Sequence, residues 1–247
     1  MSVQYVFLAC FRAAFTLWLV VSVTFFALRL SGDPVQQILP DDAAPALIEY
    51  YTRAWGLDRS LGAQYLSFWR AAAVGDLGQS FVERRDAAEM VAERLPQTLR
   101  LMGASLLLAI GIGVPAGILA ALNRDRALDR GVMAFAVSGH ALPNFLLGIL
   151  LIWVFAVILG WLPASGRETP LSIVLPAVTL GTAYAGALAR YTRGAMLEAI
   201  SAPHVLAARA RGHGSGEIVL REILPNAAIP IVTVLGFMVG GMVGGLR

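Results

Sequence analysis

The sequence predicts an all-α, polytopic membrane protein with five spans. Of its 247 residues, 57% are hydrophobic and only 14% are charged, and apolar runs of about 20 residues recur along the chain. The mean hydropathy is +0.70. A soluble core of this length cannot bury that much apolar surface, so the composition indicates an integral membrane protein.

Each predicted span is a long apolar run without a charge between its ends, except for Arg100 at the start of the second. Arg29 lies at the far end of the first, where its long side chain can reach the interface. This first run is long for a signal peptide and lacks an A-x-A site, which favours an uncleaved anchor. Prolines 115, 143 and 176 predict kinks. The spans are residues 11–30, 99–122, 132–161, 171–189 and 227–246.

Arginine placement predicts the orientation, because short cytoplasmic loops carry an excess of positive charge. Arginines are concentrated before span one, in the loop between spans two and three, and in the segment between spans four and five. These segments are therefore predicted to be cytoplasmic, which puts the N-terminus in the cytoplasm. The arginines are Arg12, Arg124, Arg126, Arg130, Arg190, Arg193, Arg209, Arg211 and Arg221. The long segment after span one leans acidic and is predicted to form short external helices, one of them over residues 86–94. The predicted regions are therefore an N-terminal transmembrane helix (1–31), an external, periplasmic segment (32–93) and a transmembrane domain (94–247).

Several function classes are excluded by residues that are missing. The sequence contains no lysine, so it cannot form a P-loop for ATP. Cys10 is the only cysteine, which excludes an intrachain disulfide and a cysteine metal cluster. His140 is the one titratable group within a span, and Ser138 points to another face of the same helix. We therefore expect no catalytic residue, cofactor or metal, and the basic charge predicts contact with lipid or a protein partner rather than nucleic acid.

Small residues recur every four positions in two spans, which lets a neighbouring backbone approach closely. Span five carries Gly236, Gly240 and Gly244, and span two carries Gly113 and Gly117. Both packing within one bundle and a dimer face are consistent with this pattern.

A polar, basic break from His204 to Pro225 separates spans four and five. Pro203 suits a first helical turn, so a short helix is predicted to Arg211, with Val205, Ala208, Arg209 and Gly212 on one side. Ser215 is the predicted N-cap of a second short helix that contains a Glu217–Arg221 pair and that Pro225 ends. One interpretation is an amphipathic connector that lies on the membrane surface. The other is a segment that another protein binds.

The break resembles the EAA loop of bacterial ABC import permeases, in which an acid-Ala-Ala start, a glycine and a Leu-Pro follow at fixed distances. Ala207, Ala208, Gly212, Leu224 and Pro225 match, whereas Leu206 and Glu222 depart from the pattern. Further pieces resemble the dipeptide, oligopeptide and nickel permeases. They are GDP (32–34), GLDRSLGAQY (56–65), GDLGQS (75–80), RLPQTLRL (94–101), LPNFLLG (142–148), LGWLPASG (159–166), LPAVTLG (175–181), ARYTRGAMLE (189–198) and LPNAAIPIVTVLG (224–236).

This resemblance implies a type I ABC importer permease in the bacterial inner membrane, forming half of a pathway for di- or oligopeptides. The implied partners are a second permease subunit in a heterodimer, two cytoplasmic ATPases and a periplasmic binding protein. A coupling helix near 203–211 is expected to contact the ATPases, and Gly212→Asp is expected to uncouple ATP hydrolysis from uptake. The expected interface residues are His204, Val205, Leu206, Ala207, Ala208, Arg209, Arg211, Gly212, Leu224 and Pro225.

The family's sixth span is missing after Arg247, which predicts a C-terminally truncated permease with five of six spans. Two alternatives remain open at this point. One is a membrane interaction or assembly protein without a transport role, and the other is the same permease role for nickel or another small solute.

Overall fold

In the computed structural model, the chain is built from helices and loops, with no β-strand among the described residues, which confirms the all-α prediction. The structure describes residues 3–32, 35, 39–40, 43–80, 83, 85–141, 143–166 and 169–245. The chain divides into two compact units, Met1–Arg94 and Leu95–Arg247. Within the described ranges, 4 helices are long and apolar enough to cross a membrane.

The first unit contains α1 (Val3–Leu30), α2 (Pro45–Ala54) and α3 (Leu61–Ala73). Ser60 begins α3 as its N-cap, since its hydroxyl accepts a hydrogen bond from the backbone of Ala63. The C-terminal half of α1 packs on α3 through aromatic rings: Phe25 lies 5.5 Å from both Tyr65 and Phe68 between centroids. Most of the remaining side chains of α1 are exposed, as a lipid-facing helix requires.

The helix α4 (Ala87–Leu122) corrects two predictions at once. A separate outer helix at 86–94 and a span beginning at Leu99 were expected, but one helix of 36 residues runs through Pro96 and Pro115. Asp86 begins it by accepting backbone hydrogen bonds from Ala88 and Glu89 (2.7 and 3.3 Å). A proline removes one backbone hydrogen bond, and an apolar helix in a bundle tolerates that loss.

The third predicted span, residues 132–161, is divided between separate helices, where only a kink at Pro143 was expected. The structure has α5 (Ala127–Ala141), then a break, then α6 (Asn144–Leu151), which continues as a π-helical segment over Ile152–Ile158. Pro143 is the N-cap of α6 and accepts from the backbone of Leu146 (2.9 Å). Pro143 lies outside both helices, so the chain is interrupted where a kink was predicted.

The remaining helices carry the polar break. A short 3₁₀ turn, Pro170–Ile173, leads into α7 (Val174–Ile200), which is followed by α8 (Pro203–Ala210). The chain then forms α9 (Ser215–Ile218), a π-helical segment (Val219–Ile223) and α10 (Leu224–Gly245). Span four was predicted to end at residue 189, but α7 continues for eleven more residues and includes Arg190 and Arg193.

Glycines bring the helices of the second unit into close contact. A Cβ atom at Gly113 would lie 2.7 Å from the carbonyl oxygen of Ala185, and one at Gly117 would lie 2.5 Å from that of Ala189. At Gly186 a Cβ would lie 2.9 Å from the carbonyl oxygen of Ala136 on α5. α7 is therefore the central helix, with α4 and α5 packed backbone to backbone against it.

Candidate functional site

The helix α8 lies within the polar break and spans nearly the predicted range. Pro203 occupies its first turn, where a missing N–H removes no hydrogen bond, and Ala202 is the N-cap. Val205 and Ala208 are fully buried (0% exposed), whereas Leu206 is 61% exposed. Val205 and Ala208 face the chain's own core, so they position α8 rather than present a surface to a partner.

The core beneath α8 is shared by several helices. Val205 and Ala208 belong to one buried cluster with Met196 and Ala199 of α7 and Ile231 of α10. This shared core fixes the buried face of α8 against α7 and α10.

Gly212 ends α8 in a Schellman turn. Its backbone N–H donates to Arg209 O (3.0 Å), and that of His213 donates to Ala208 O (3.3 Å). The turn requires a left-handed residue, and Gly212 has φ of 82°. Glycine adopts this conformation without the steric penalty that a Cβ atom would bring.

The segment after the turn differs from its prediction in two ways. Gly214 is the N-cap of α9, so Ser215 is the first helical residue. Pro225 does not stop the helix: α9, the π-helical segment and α10 follow one another without a loop. The backbone N–H of Leu224 donates to Val219 O, five residues back. This wider turn accommodates the proline, which has no N–H and would clash in a regular α-helix.

Polar side chains form hydrogen bonds and ion pairs within the polar break and with the start of α10. Glu217 accepts from Arg221 Nη1 (2.8 Å), which confirms the predicted pair, and also lies 3.2 Å from His213 Nδ1. At the other end of α8, His204 Nε2 lies 3.3 Å from Asn226 Nδ2. The Asn226 amide donates to Glu222 O (2.6 Å) within the wide turn.

An ion pair that the sequence analysis missed joins α5 to α7. Arg193 donates to both carboxylate oxygens of Asp129 (2.6 and 2.7 Å), and the backbone N–H of Asp125 donates to the same carboxylate (2.9 Å). The Asp129 side chain is 4% exposed and that of Arg193 is 24% exposed. Hydrogen bonding from Arg193 holds the pKa of Asp129 below its ordinary value. The two residues are 64 positions apart, so no local pattern connects them.

We expect Asp129→Asn to destabilise the second unit by about 1–3 kcal/mol, because the partly buried Arg193 loses its counter-charge. Asp125→Asn, at a side chain that is 78% exposed, is the matched control. The apparent unfolding midpoint in detergent measures the difference. Since the pKa of Asp129 is lowered, the stabilisation from the pair is present at neutral pH and is lost as the pH falls through that lowered value. Equal midpoints for the two variants at neutral pH would contradict the assignment.

The repeated glycines divide into two groups. Gly113 and Gly117 meet α7 closely, which confirms packing within the bundle for span two. At Gly236 and Gly240, by contrast, an added Cβ would meet no atom within 4 Å. Gly244 lies in the last turn of α10, outside the described side chains.

Two further predicted residues have different outcomes. Ser138 donates its hydroxyl hydrogen to Ala134 O of its own helix, which is a structural hydrogen bond. The structure does not describe the side chain of His140. It also does not describe residues 33 and 34 of the GDP motif or residue 142 of the LPNFLLG motif.

Comparisons with known proteins place the chain in a family. Residues 113–246 match the family described as "Binding-protein-dependent transport system inner membrane component". The glutathione transport system permease protein GsiC of Escherichia coli O6:H1 is 42% identical over 231 residues, which cover 93% of this chain and 76% of that protein. The proteins of the same name from Escherichia coli K12 and Shigella dysenteriae serotype 1 are each 41% identical over the same shares.

These matches confirm the resemblance to ABC import permeases that was based on the polar break and the shorter motifs. The matched residues include α5 to α8 and the glycine turn, which are the elements around the break. The chain belongs to the inner-membrane component family of binding-protein-dependent transport systems, and it is the permease subunit of an ABC importer.

Proposed function

We propose that this permease imports a peptide-like solute and that α8 is its coupling helix. The observation that carries the proposal is the construction of α8, which has a buried face in the bundle core and an exposed face that includes Leu206. Such a helix can receive a displacement from outside the bundle and deliver it inside. The proposed interface is the exposed subset His204, Leu206, Ala207, Arg209, Arg211 and Pro225, with Gly212 shaping the turn.

The energy for transport comes from separate ATPase subunits in this proposal. The sequence has no lysine with which to form a P-loop, so ATP binding requires partners. We assign two ATPases to the cytoplasmic side, where the arginine-rich segments of the chain lie if the N-terminus is cytoplasmic. A binding protein delivers the solute to the opposite side.

The helix α10 is proposed to face a second permease subunit and membrane lipid. Gly236 and Gly240 have open space beside them, and Phe237 and Val232 are 77% and 64% exposed. A second transmembrane subunit packed on this face would find both apolar side chains and room for close backbone approach. The proposed regions stay as the sequence predicted them: an N-terminal helix (1–31), an external segment (32–93) and the transmembrane domain (94–247).

The solute class follows from the relatives. The matched proteins are named as glutathione permeases, and glutathione is a small peptide. We therefore place the solute of this chain among glutathione and short peptides. Nickel transport and a non-transporting assembly role are the alternatives that the experiment below distinguishes.

Uptake in a strain lacking only this gene tests the proposal. Labelled glutathione, a labelled dipeptide and ⁶³Ni²⁺ are supplied separately, with and without a plasmid copy of the gene. We expect restored, ATP-dependent uptake of at least one peptide and no change for nickel. Restoration of nickel alone would reassign the solute, and unchanged uptake of all three would support the assembly role.

A further inference from the structure

The first unit contains a cavity of about 670 Å³ that the coupling mechanism does not use. It lies among the end of α1, the loop after α2, the helix α3 and residues 76–79. A volume of this size is typical of small-molecule sites. Its polar and aromatic lining consists of Arg29, Trp55, Arg59, Gln64, Asp76 and Gln79, besides smaller and apolar residues.

The charge of Arg29 has no counter-charge in the described part of the chain. Its Nη1 is buried and has no hydrogen-bond partner there. The guanidinium carbon lies 5.5 Å from the centroid of the Phe25 ring, which attracts a cation but does not neutralise it.

Two exposed arginines of the first unit are paired with acids. Arg53 pairs with Glu49 and Arg85 with Glu93. Both are more exposed than the half-buried Arg29, although a cation that is partly shielded from water needs a partner more than an exposed one does. Arg29 is thus half-buried and has no ion pair among the described residues.

The charges of the other lining residues also favour a ligand with one negative charge. Two arginines and one aspartate line the cavity, and the aspartate, Asp76, already accepts a hydrogen bond from the backbone of Gly78 (2.8 Å). Gln64 donates to Leu57 O and Arg59 O, while its own Oε1 is buried without a donor. Among the described residues, the cavity thus holds a cation without a counter-charge and an acceptor without a donor.

We infer that this cavity binds the carboxylate of a small peptide, with Arg29 as its counter-charge. A peptide supplies both missing groups, since its carboxylate matches the guanidinium and its N–H groups match the Gln64 oxygen. The inference rests on the proposed import of a peptide-like solute and adds a solute site on the external segment. The phosphate headgroup of phosphatidylglycerol offers the anion but not the N–H donors.

Binding of alanyl-alanine to the full chain in phosphatidylcholine nanodiscs tests the inference, by a saturation-transfer NMR titration. Alanyl-alanine amide is the matched ligand without a carboxylate. We expect the amide to bind at least about tenfold more weakly, and Arg29→Gln to weaken binding of the dipeptide by a similar factor. Arg70→Gln, at an exposed α3 residue that does not line the cavity, should bind as the wild type does.

Three outcomes would overturn the inference: no binding of the dipeptide, equal binding of the amide, or competition by phosphatidylglycerol that removes the dipeptide signal entirely. The comparison of the two ligands needs only wild-type protein, so it remains decisive if Arg29→Gln fails to fold. Peptide uptake without binding in the nanodisc would reject this site while leaving the proposed function intact. Dipeptide binding in the nanodisc without peptide uptake by the complemented strain would support this site and reject the proposed function.

Discussion

We expect Gly117→Ala to disrupt the bundle, with a loss of at least about 1–3 kcal/mol of stability, the usual range for overpacking. The added Cβ would lie 2.5 Å from the carbonyl oxygen of Ala189 and 2.6 Å from the Cβ of Thr192. Neither neighbour is the end of a flexible side chain, so α4 and α7 must separate. The measurement is the apparent unfolding midpoint in detergent, together with the fraction of monodisperse protein.

Gly111→Ala is the matched control on the same helix. A Cβ there would meet no atom within 4 Å. Alanine has the higher helix propensity, so this variant should be neutral or slightly more stable. The same substitution, six residues apart, is thus expected to give effects of opposite sign. Equal midpoints for the two variants would show that α4 and α7 do not approach as closely as described.

We expect Gly212→Val to reduce peptide uptake by about tenfold or more while the amount of chain in the membrane stays the same. Gly212 has φ of 82°, a conformation that costs an L-residue roughly 1–2 kcal/mol and a β-branched one more. The Schellman turn must then rearrange, which changes the direction in which α8 is held. Valine is a stricter test than aspartate, because aspartate tolerates the left-handed region better.

Gly214→Val provides the control for that experiment. Gly214 has φ of −68° and ψ of 148°, which valine adopts readily, and a Cβ there meets no atom within 4 Å. Both variants add the same side chain to the same loop, two positions apart. If Gly214→Val lost uptake to the same degree as Gly212→Val, the geometry of the turn would not be the cause.

The sequence was most informative where the structure is local. The short helix after Pro203, the glycine turn and the Glu217–Arg221 pair each depend on residues within a few positions of one another, and each was predicted. Both ends of α8 are set by such local chemistry, so Pro203 and Gly212 were enough to identify them.

The sequence was misleading at two prolines. Pro225 follows a wide turn instead of ending the helix, and Pro143 lies where the third span is interrupted. In a bundle the outcome depends on whether neighbouring helices or a π-turn compensate for the lost hydrogen bond. That compensation is tertiary, so the residue type does not determine it. The Asp129–Arg193 pair was missed for a related reason, because 64 positions separate its members.

The central claim is that an ATPase subunit binds the exposed face of α8. Site-specific photo-crosslinking tests this claim most directly. A benzophenone amino acid replaces Leu206, which is 61% exposed on α8, and in a parallel variant replaces Leu66, which is 51% exposed on α3. We predict an adduct with a nucleotide-binding ATPase subunit from position 206 and none from position 66. No ATPase adduct from position 206, or an equal one from position 66, would contradict the assignment of α8 as the coupling helix.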